Sequence, residues 1–131
     1  MREIKFKIFD TKQNKFLNKF YCYFGSDEKM EIYNNGRDFD DGIKNENAIL
    51  LQYTGFKDMN GIEIYEGDIC EIKYSKESQK ISFCTNGICF VEFKEGSFWL
   101  NNRYDRFSVI INNFEKLEVV GNIYENLELL I

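Results

Sequence analysis

A chain of 131 residues with 44% hydrophobic side chains can bury one ordinary core or two small ones, and is too apolar to stay globally disordered. It has no His, which removes the commonest general base and metal ligand, along with any Ser/His or Cys/His nucleophilic pair. The net charge of −5 is uneven: residues 1–60 carry ten Lys/Arg and ten Asp/Glu, residues 61–131 seven and twelve, so the acidic second half argues against a phosphate backbone as the main ligand.

Ile4, Phe6 and Ile8 alternate with Glu3, Lys5 and Lys7, which predicts a half-buried strand with the apolar set inward. Asp10 to Lys15 reads as a polar turn and Phe16 to Phe24 as one aromatic strand. Lys29 to Tyr33 gives a third strand with Met30 and Ile32 inward. Asn34-Asn35-Gly36 opens a loop running to about Asn47. Ala48 to Tyr53 is apolar again, and Asp58-Met59-Asn60-Gly61 is a turn whose Asn-Gly suits positive φ.

Glu66-Gly67-Asp68 is a tight turn leading into a strand with Cys70, Ile72 and Tyr74 on one face. Ile81 to Phe93 reads as a hairpin folded on Asn86-Gly87, with Gly87 at positive φ and Cys84 opposite Cys89. Phe98 to Leu100, Phe107 to Ile111 and Leu117 to Tyr124 supply further strands, and Asn112 to Lys116 a helical turn or loop. No long amphipathic helix is visible. Short strands between Gly and Asn turns predict a mainly β fold of two small β-rich lobes, with little helix.

Few residues invite chemistry. Cys22, Cys70, Cys84 and Cys89 form no CxxC pair, so a zinc site would need four scattered ligands; thiols packing as small hydrophobes is the simpler reading. The run Asp38-Phe39-Asp40-Asp41-Gly42 fails as a calcium loop, since Ile43 stands where Gly belongs and Ile49 where Glu belongs. Gly55, Gly61 and Gly67 lack the Lys-Ser/Thr and the strand-to-helix context of a phosphate loop. Glu66 and Asp68 have no second carboxylate pair placed opposite them. No catalytic residue, metal or cofactor is expected. Trp99, the only tryptophan, is a candidate partner contact because Trp is enriched among binding hot spots.

Three blocks carry a family resemblance. They are the opening Met1-Arg2-Glu3-Ile4-Lys5-Phe6-Lys7-Ile8-Phe9-Asp10; the centre from Gln52-Tyr53-Thr54-Gly55 through Asp58 and Gly61 to Ile64-Tyr65-Glu66-Gly67-Asp68-Ile69; and the closing Val120-Gly121-Asn122-Ile123-Tyr124-Glu125-Asn126 with Leu129-Leu130. In this order and spacing the chain resembles the YopX-like proteins, although Phe9 stands where the family often has Trp. The resemblance implies a bacteriophage or prophage origin, an SH3-like barrel in the C-terminal part and no established activity, so no functional residue carries over.

The expectation is therefore a non-enzymatic accessory protein with lobes at 1–60 and 61–131. It would act by binding a protein, either itself as a homo-oligomer or a host or phage partner, in the cytoplasm of a bacterial host and not in a membrane. An inhibitor of a host defence system, anti-CRISPR-like, is one alternative and a single-stranded nucleic-acid-binding module another; the charge makes nucleic acid the weaker. Gln52, Tyr53, Thr54, Gly55, Asp58, Gly61, Tyr65, Glu66, Gly67, Asp68, Gly121 and Asn122 are expected to be structural, building the junction between lobes. Tyr65 and Ile69 should be buried. Asp58 should bond the amide two residues on, and Asp68 should accept turn amides.

Overall fold

The computed structural model describes residues 3–24, 29–34, 44–73, 87–102, 108–111 and 116–130. These form strands β1 (Phe6–Asp10), β2 (Lys15–Phe16), β3 (Phe20–Phe24), β4 (Met30–Asn34), β5 (Ala48–Lys57), β6 (Glu63–Tyr65), β7 (Asp68–Ile72), β8 (Ile88–Lys94), β9 (Ser97–Asn101), β10 (Ser108–Ile110) and β11 (Leu117–Asn122). A 3-10 turn over Leu127–Leu130 follows. The fold is mainly β, as the turn-rich sequence predicts. No helix among the described residues is long and apolar enough to cross a membrane. The chain divides into two compact units, Phe6–Leu51 and Met1–Lys5 with Gln52–Ile131.

In the unit Phe6–Leu51, β1 pairs antiparallel with β2, and Phe9 meets Phe16 edge-on at 5.1 Å. The predicted alternation of Ile4, Phe6 and Ile8 does not hold. Ile4 is 61% exposed, whereas Ile8, Phe9 and Asp10 are buried in succession. A strand covered on both faces buries consecutive residues; here Phe16 covers Phe9 while Asp10 is tied down on the other side. Its carboxylate accepts the amides of Lys12 and Gln13, each at 2.9 Å, and the side-chain amide of Asn45 at 2.8 Å. The Gln13 amide first, then Asn45, hold that carboxyl below the usual carboxylate range.

The single aromatic strand expected over Phe16–Phe24 is two strands. The Leu17 amide still bonds the Ile8 carbonyl at 2.9 Å, after which the chain bends away from β1 before β3 begins. β3 pairs with β4 from Phe20↔Asn34 to Phe24↔Met30. Met30, expected inward, is exposed at the end of the hairpin where β3 connects to β4. The acidic run Asp38–Gly42 lies outside the described residues, as do Tyr74, Cys84, Asn86 and most of the segment 112–116.

In the other unit, β7 to β11 form one antiparallel sheet in the order β10-β9-β8-β7-β11. The register Cys70↔Cys89 puts both thiols on one face of it. There Cys70, Ile72, Cys89, Val91, Leu100, Ile111 and Leu117 pack with Ile64 of β6 into a core flanked by Phe56, Phe98, Val109 and Val119. Cys89 donates through sulfur to the Cys70 carbonyl at 3.4 Å, and burial pushes the Cys70 thiol far above its ordinary value. These two thiols behave as small hydrophobes. A folded-over sheet of this kind is compatible with the SH3-like barrel that the resemblance implies.

Residues with positive φ stand at both ends of β8. Glu95 and Gly96 join β8 to β9 with φ of 50° and 77°, the paired positive values of a type I′ hairpin. The sequence places a turn beside Gly96, but Glu-Gly is not the usual signal for this turn type. Gly87, just before β8, has φ of 75° as expected, and its carbonyl accepts the Ile72 amide at 2.7 Å. Gly87→Val should therefore destabilise the protein by about 1–2 kcal/mol through left-handed backbone strain. A thermal melt matching wild type would refute this.

Candidate functional site

The central motif lies within the unit that holds the five-stranded sheet, and so do Gly121 and Asn122. Its most consequential residue is Asp58, in the turn between β5 and β6. Only 7% of it is exposed. One carboxylate oxygen accepts the amides of Asn60 at 2.8 Å and Ile62 at 2.9 Å; the other accepts the Val119 amide of β11 at 2.9 Å. Burial pushes this carboxyl up, but the amides of Val119, Ile62 and Asn60 outweigh it and hold the group below its ordinary value. The next residue, Met59, donates its amide to the Leu117 carbonyl at 2.8 Å. The turn thus lies along the outer edge of β11, and a side-chain carboxylate takes the place of a strand carbonyl.

The rest of the motif follows the same economy. Thr54 donates its hydroxyl to the Ile64 carbonyl at 2.8 Å and accepts the Phe56 amide at 3.1 Å, which lets β5 kink at Gly55 (φ 89°). Gln52 and Glu66 bond reciprocally: the Glu66 amide reaches the Gln52 carbonyl at 2.9 Å, and the Gln52 amide reaches Glu66 Oε1 at 3.0 Å. Asp68 accepts the Tyr65 amide at 2.8 Å, as expected of a turn carboxylate. Tyr65 and Ile69 are buried, and the Tyr65 ring lies 5.5 Å from that of Tyr53. Lys5 sits 5.7 Å from the Tyr53 ring centre and pairs with Glu63 at 2.7 Å.

The closing block clasps this centre. Gly67 donates to the Val91 carbonyl and accepts the Ile123 amide, both at 2.8 Å. A Cβ on Gly67 would stand 2.8 Å from a Tyr124 ring carbon, and its φ of 81° already disfavours a side chain. Asn122 accepts the amides of Tyr124 and Glu125 at 3.0 and 2.8 Å, turning the chain by its own side chain. A Cβ on Gly121 would meet three atoms of the Asn126 side chain between 2.7 and 2.9 Å. Gly61, by contrast, has φ of 81° but open space around it. The sequence shows Asn126 only as part of a block; that it fills the space beside Gly121 is visible in three dimensions alone.

Trp99 is half-buried. It donates its indole N–H to the Lys94 carbonyl at 3.0 Å and carries the Lys94 ammonium 5.3 Å from its ring centre. That ammonium bonds Ser108 Oγ at 3.0 Å, and Ser108 bonds the buried Asn101 side chain. Among the described residues no group of three Cys, Asp or Glu side chains is arranged to hold a metal ion.

The residue pattern did not single out an open cleft beside the β8–β9 turn. It has a volume of about 390 Å³, and Gln52, Thr54, Phe56, Phe93, Phe98 and Ile110 are among the residues that line it. Phe93 and Ile110 are 48% and 50% exposed, and the Phe93 and Phe98 rings lie 5.0 Å apart. The available signal was the pair of Phe residues flanking Glu95-Gly96, which a hairpin at that point would bring together.

Fold and motif together define a small antiparallel β protein whose turns are pinned by carboxylates and carboxamides onto backbone amides. The family model described as YopX protein matches residues 5–131. The chain belongs to the YopX family. It is similar in structure to protein EF1440 from Enterococcus faecalis, at 23% identity and a TM-score of 0.67, and to protein yopX from Bacillus subtilis, at 21% identity and 0.64; each match covers 100% of both chains. At those identities the likeness speaks for the fold alone. No curated protein matches the chain.

Asp58 carries a pH consequence with a definite sign. Its folded-state pKa is depressed below the unfolded value of about 3.9, so its contribution is complete above that value and is lost as pH falls through the folded one. Asp58→Asn should therefore lower stability near neutrality and flatten the acid limb of the stability curve below about pH 4. Asp58→Ala should cost about 2–4 kcal/mol at pH 7 by leaving buried amides without acceptors. Denaturant melts of the three proteins from neutral to acid pH check both points, and parallel acid limbs would refute the assignment.

Gly121→Ala should cost about 1–3 kcal/mol by overpacking against Asn126. The same change in an Asn126→Gly background should cost less, because the crowded atoms are gone. Additive costs in that double-mutant cycle would show that the close approach is unimportant.

Proposed function

We propose that this is a non-enzymatic phage or prophage accessory protein that acts in the cytoplasm of the bacterial host by binding another protein. The partner is a host or phage protein, or other copies of itself. The observation that carries the reading is the cleft that Phe56, Phe93 and Phe98 help to line, with the Phe93 ring about half exposed at its rim. Contiguous apolar surface of this kind in a chain otherwise rich in charge marks interaction sites. The second support is how the motif spends its polar groups. Asp58 and Asn122 are engaged with backbone amides, and Asp68 accepts one as well, so the most conspicuous side chains of the sequence act in the fold. The acidic second half adds a reason to prefer a protein over a nucleic acid.

The test is capture with the tagged intact chain from cells carrying the corresponding prophage, run beside Phe93→Ser, which alters the rim and little else. A protein held by wild type and released by Phe93→Ser supports the reading. Sedimentation at about tens of micromolar reports whether that protein is the chain itself. Failure to retain any protein, together with salt-sensitive binding of labelled single-stranded DNA or RNA, would overturn it.

A further inference from the structure

The turn that holds the edge of β11 also carries an Asn-Gly pair. Asn60 and Gly61 stand exposed at its tip, and a Cβ on Gly61 would meet nothing within 4 Å. The Asn60 N–H is bonded to Asp58 Oδ1 at 2.8 Å, and the Gly61 N–H to the Asp58 carbonyl at 3.0 Å. Ile62 closes the turn from the far side: its N–H reaches Asp58 Oδ1 at 2.9 Å, and its carbonyl accepts the Asp58 N–H at 2.7 Å. Each of these bonds begins or ends on Asp58, and with the bond from Val119 they make a clasp between the turn and β11. Among the described residues the Asn60 carboxamide itself has no partner.

An Asn followed by Gly is open to attack on its side-chain amide by the next backbone nitrogen, because no Cβ shields that nitrogen. We infer that Asn60-Gly61 is a self-modification site, converted by water alone to aspartate or isoaspartate, and that the Asp58 clasp is the gate that keeps it unreacted. In the first step the Gly61 nitrogen gives its proton to the solvent and bonds to Asn60 Cγ. The bond from Cγ to the carboxamide nitrogen breaks, and that nitrogen leaves as ammonia with a proton from the solvent. Water then opens the cyclic imide. Cleavage between the Gly61 nitrogen and Cγ gives aspartate. Cleavage between that nitrogen and the Asn60 backbone carbonyl carbon gives isoaspartate, with the main chain rerouted through Cβ and Cγ. Nothing is oxidised or reduced.

The folded turn obstructs the first step twice. The Gly61 N–H is engaged with the Asp58 carbonyl, so its proton is not free to leave. Closing the imide also sets the torsion about the Asn60 Cα–C bond, and the bonds from Asn60 and Gly61 to Asp58 already hold the amides on either side of it. Reaction therefore passes through molecules whose turn has opened, at a rate set by how often the clasp lets go. Isoaspartate prevents the clasp from closing again. It lengthens the backbone of a turn whose bonds converge on one residue, and it adds a negative charge two residues from the buried Asp58 carboxylate. The effect reaches β11, where the Val119 N–H and the Leu117 carbonyl lose the partners that cap the edge of the sheet. Asn60-Gly61 is thus a one-way device that records an opening of the clasp and makes it permanent.

The test follows the intact chain by peptide mapping. It reads the mass gain of amide-to-acid conversion at residue 60, and isoaspartate by its enzymatic methylation. Native protein at neutral pH is compared with the same chain in guanidinium and with Asp58→Asn under native conditions. Gating expects native wild type to react ~10-fold or more slowly than the denatured chain, with Asp58→Asn between the two. If circular dichroism shows Asp58→Asn unfolded, hydrogen exchange on wild type decides: the fold should slow the reaction by the factor by which it protects the Gly61 amide, since both pass through the same opening. Modified protein, separated by its added negative charge, should melt lower than fresh protein and exchange its Val119 amide faster. Equal rates in native and denatured wild type, a product without isoaspartate, or modified protein whose Val119 amide stays protected would each overturn the inference.

Discussion

A buried carboxylate on a turn, bonded to three backbone amides, is the constraint on which the sheet-bearing unit depends. Desolvating Asp58 is unfavourable by itself, and the site is tolerable only because charge-assisted bonds from Asn60, Ile62 and Val119 surround it. Two of those amides are local and would form in an isolated turn. The third lies 61 residues away, and it converts a turn into a clasp on β11. With the neighbouring bond from Met59 to Leu117, the clasp ends the sheet on that side and protects an edge that would otherwise pair with other chains.

The glycines work with this clasp. Gly67 and Gly121 are places where side chains from the closing block come within contact distance of bare backbone, Tyr124 at one and Asn126 at the other. Gly67 lets two segments distant in sequence approach more closely than any Cβ allows, and Gly121 does the same within the closing turn. The central and closing blocks are therefore two halves of one packing arrangement. Phe6–Leu51 uses a similar device by itself: Asp10, also buried, gathers two turn amides and the Asn45 carboxamide.

This arrangement separates what is conspicuous in the sequence from what is free to act. A cluster of Asp, Glu, Tyr and Gly at short spacing looks like chemistry. In the folded chain Asp58 and Asp68 face backbone amides, and the depressed pKa of Asp58 belongs to a structural anion rather than to a proton donor. The surface with room for a ligand is built from residues that attract no notice in the sequence, such as Phe56, Phe93 and Ile110.

The sequence by itself determined the local conformations. Gly61, Gly67 and Gly87 take the positive φ that glycine favours, and Asp58 and Asn122 bond the amides two residues ahead because a short polar side chain there readily reaches its own turn backbone. The β class was legible for the same reason, as was the burial of Tyr65 and Ile69. Tertiary structure decided which faces are covered and which distant groups meet. Period-2 patterning places Ile4 and Phe6 inside, yet Ile4 is open and Ile8, Phe9 and Asp10 are buried in a row, because covering elements act on both sides of a strand where they happen to pack. Similarly, no local signal ties Asp58 to Val119, sets Tyr124 against Gly67 or brings β5 beside Phe93. Those pairings depend on strand order and register, which are settled only when the sheet closes.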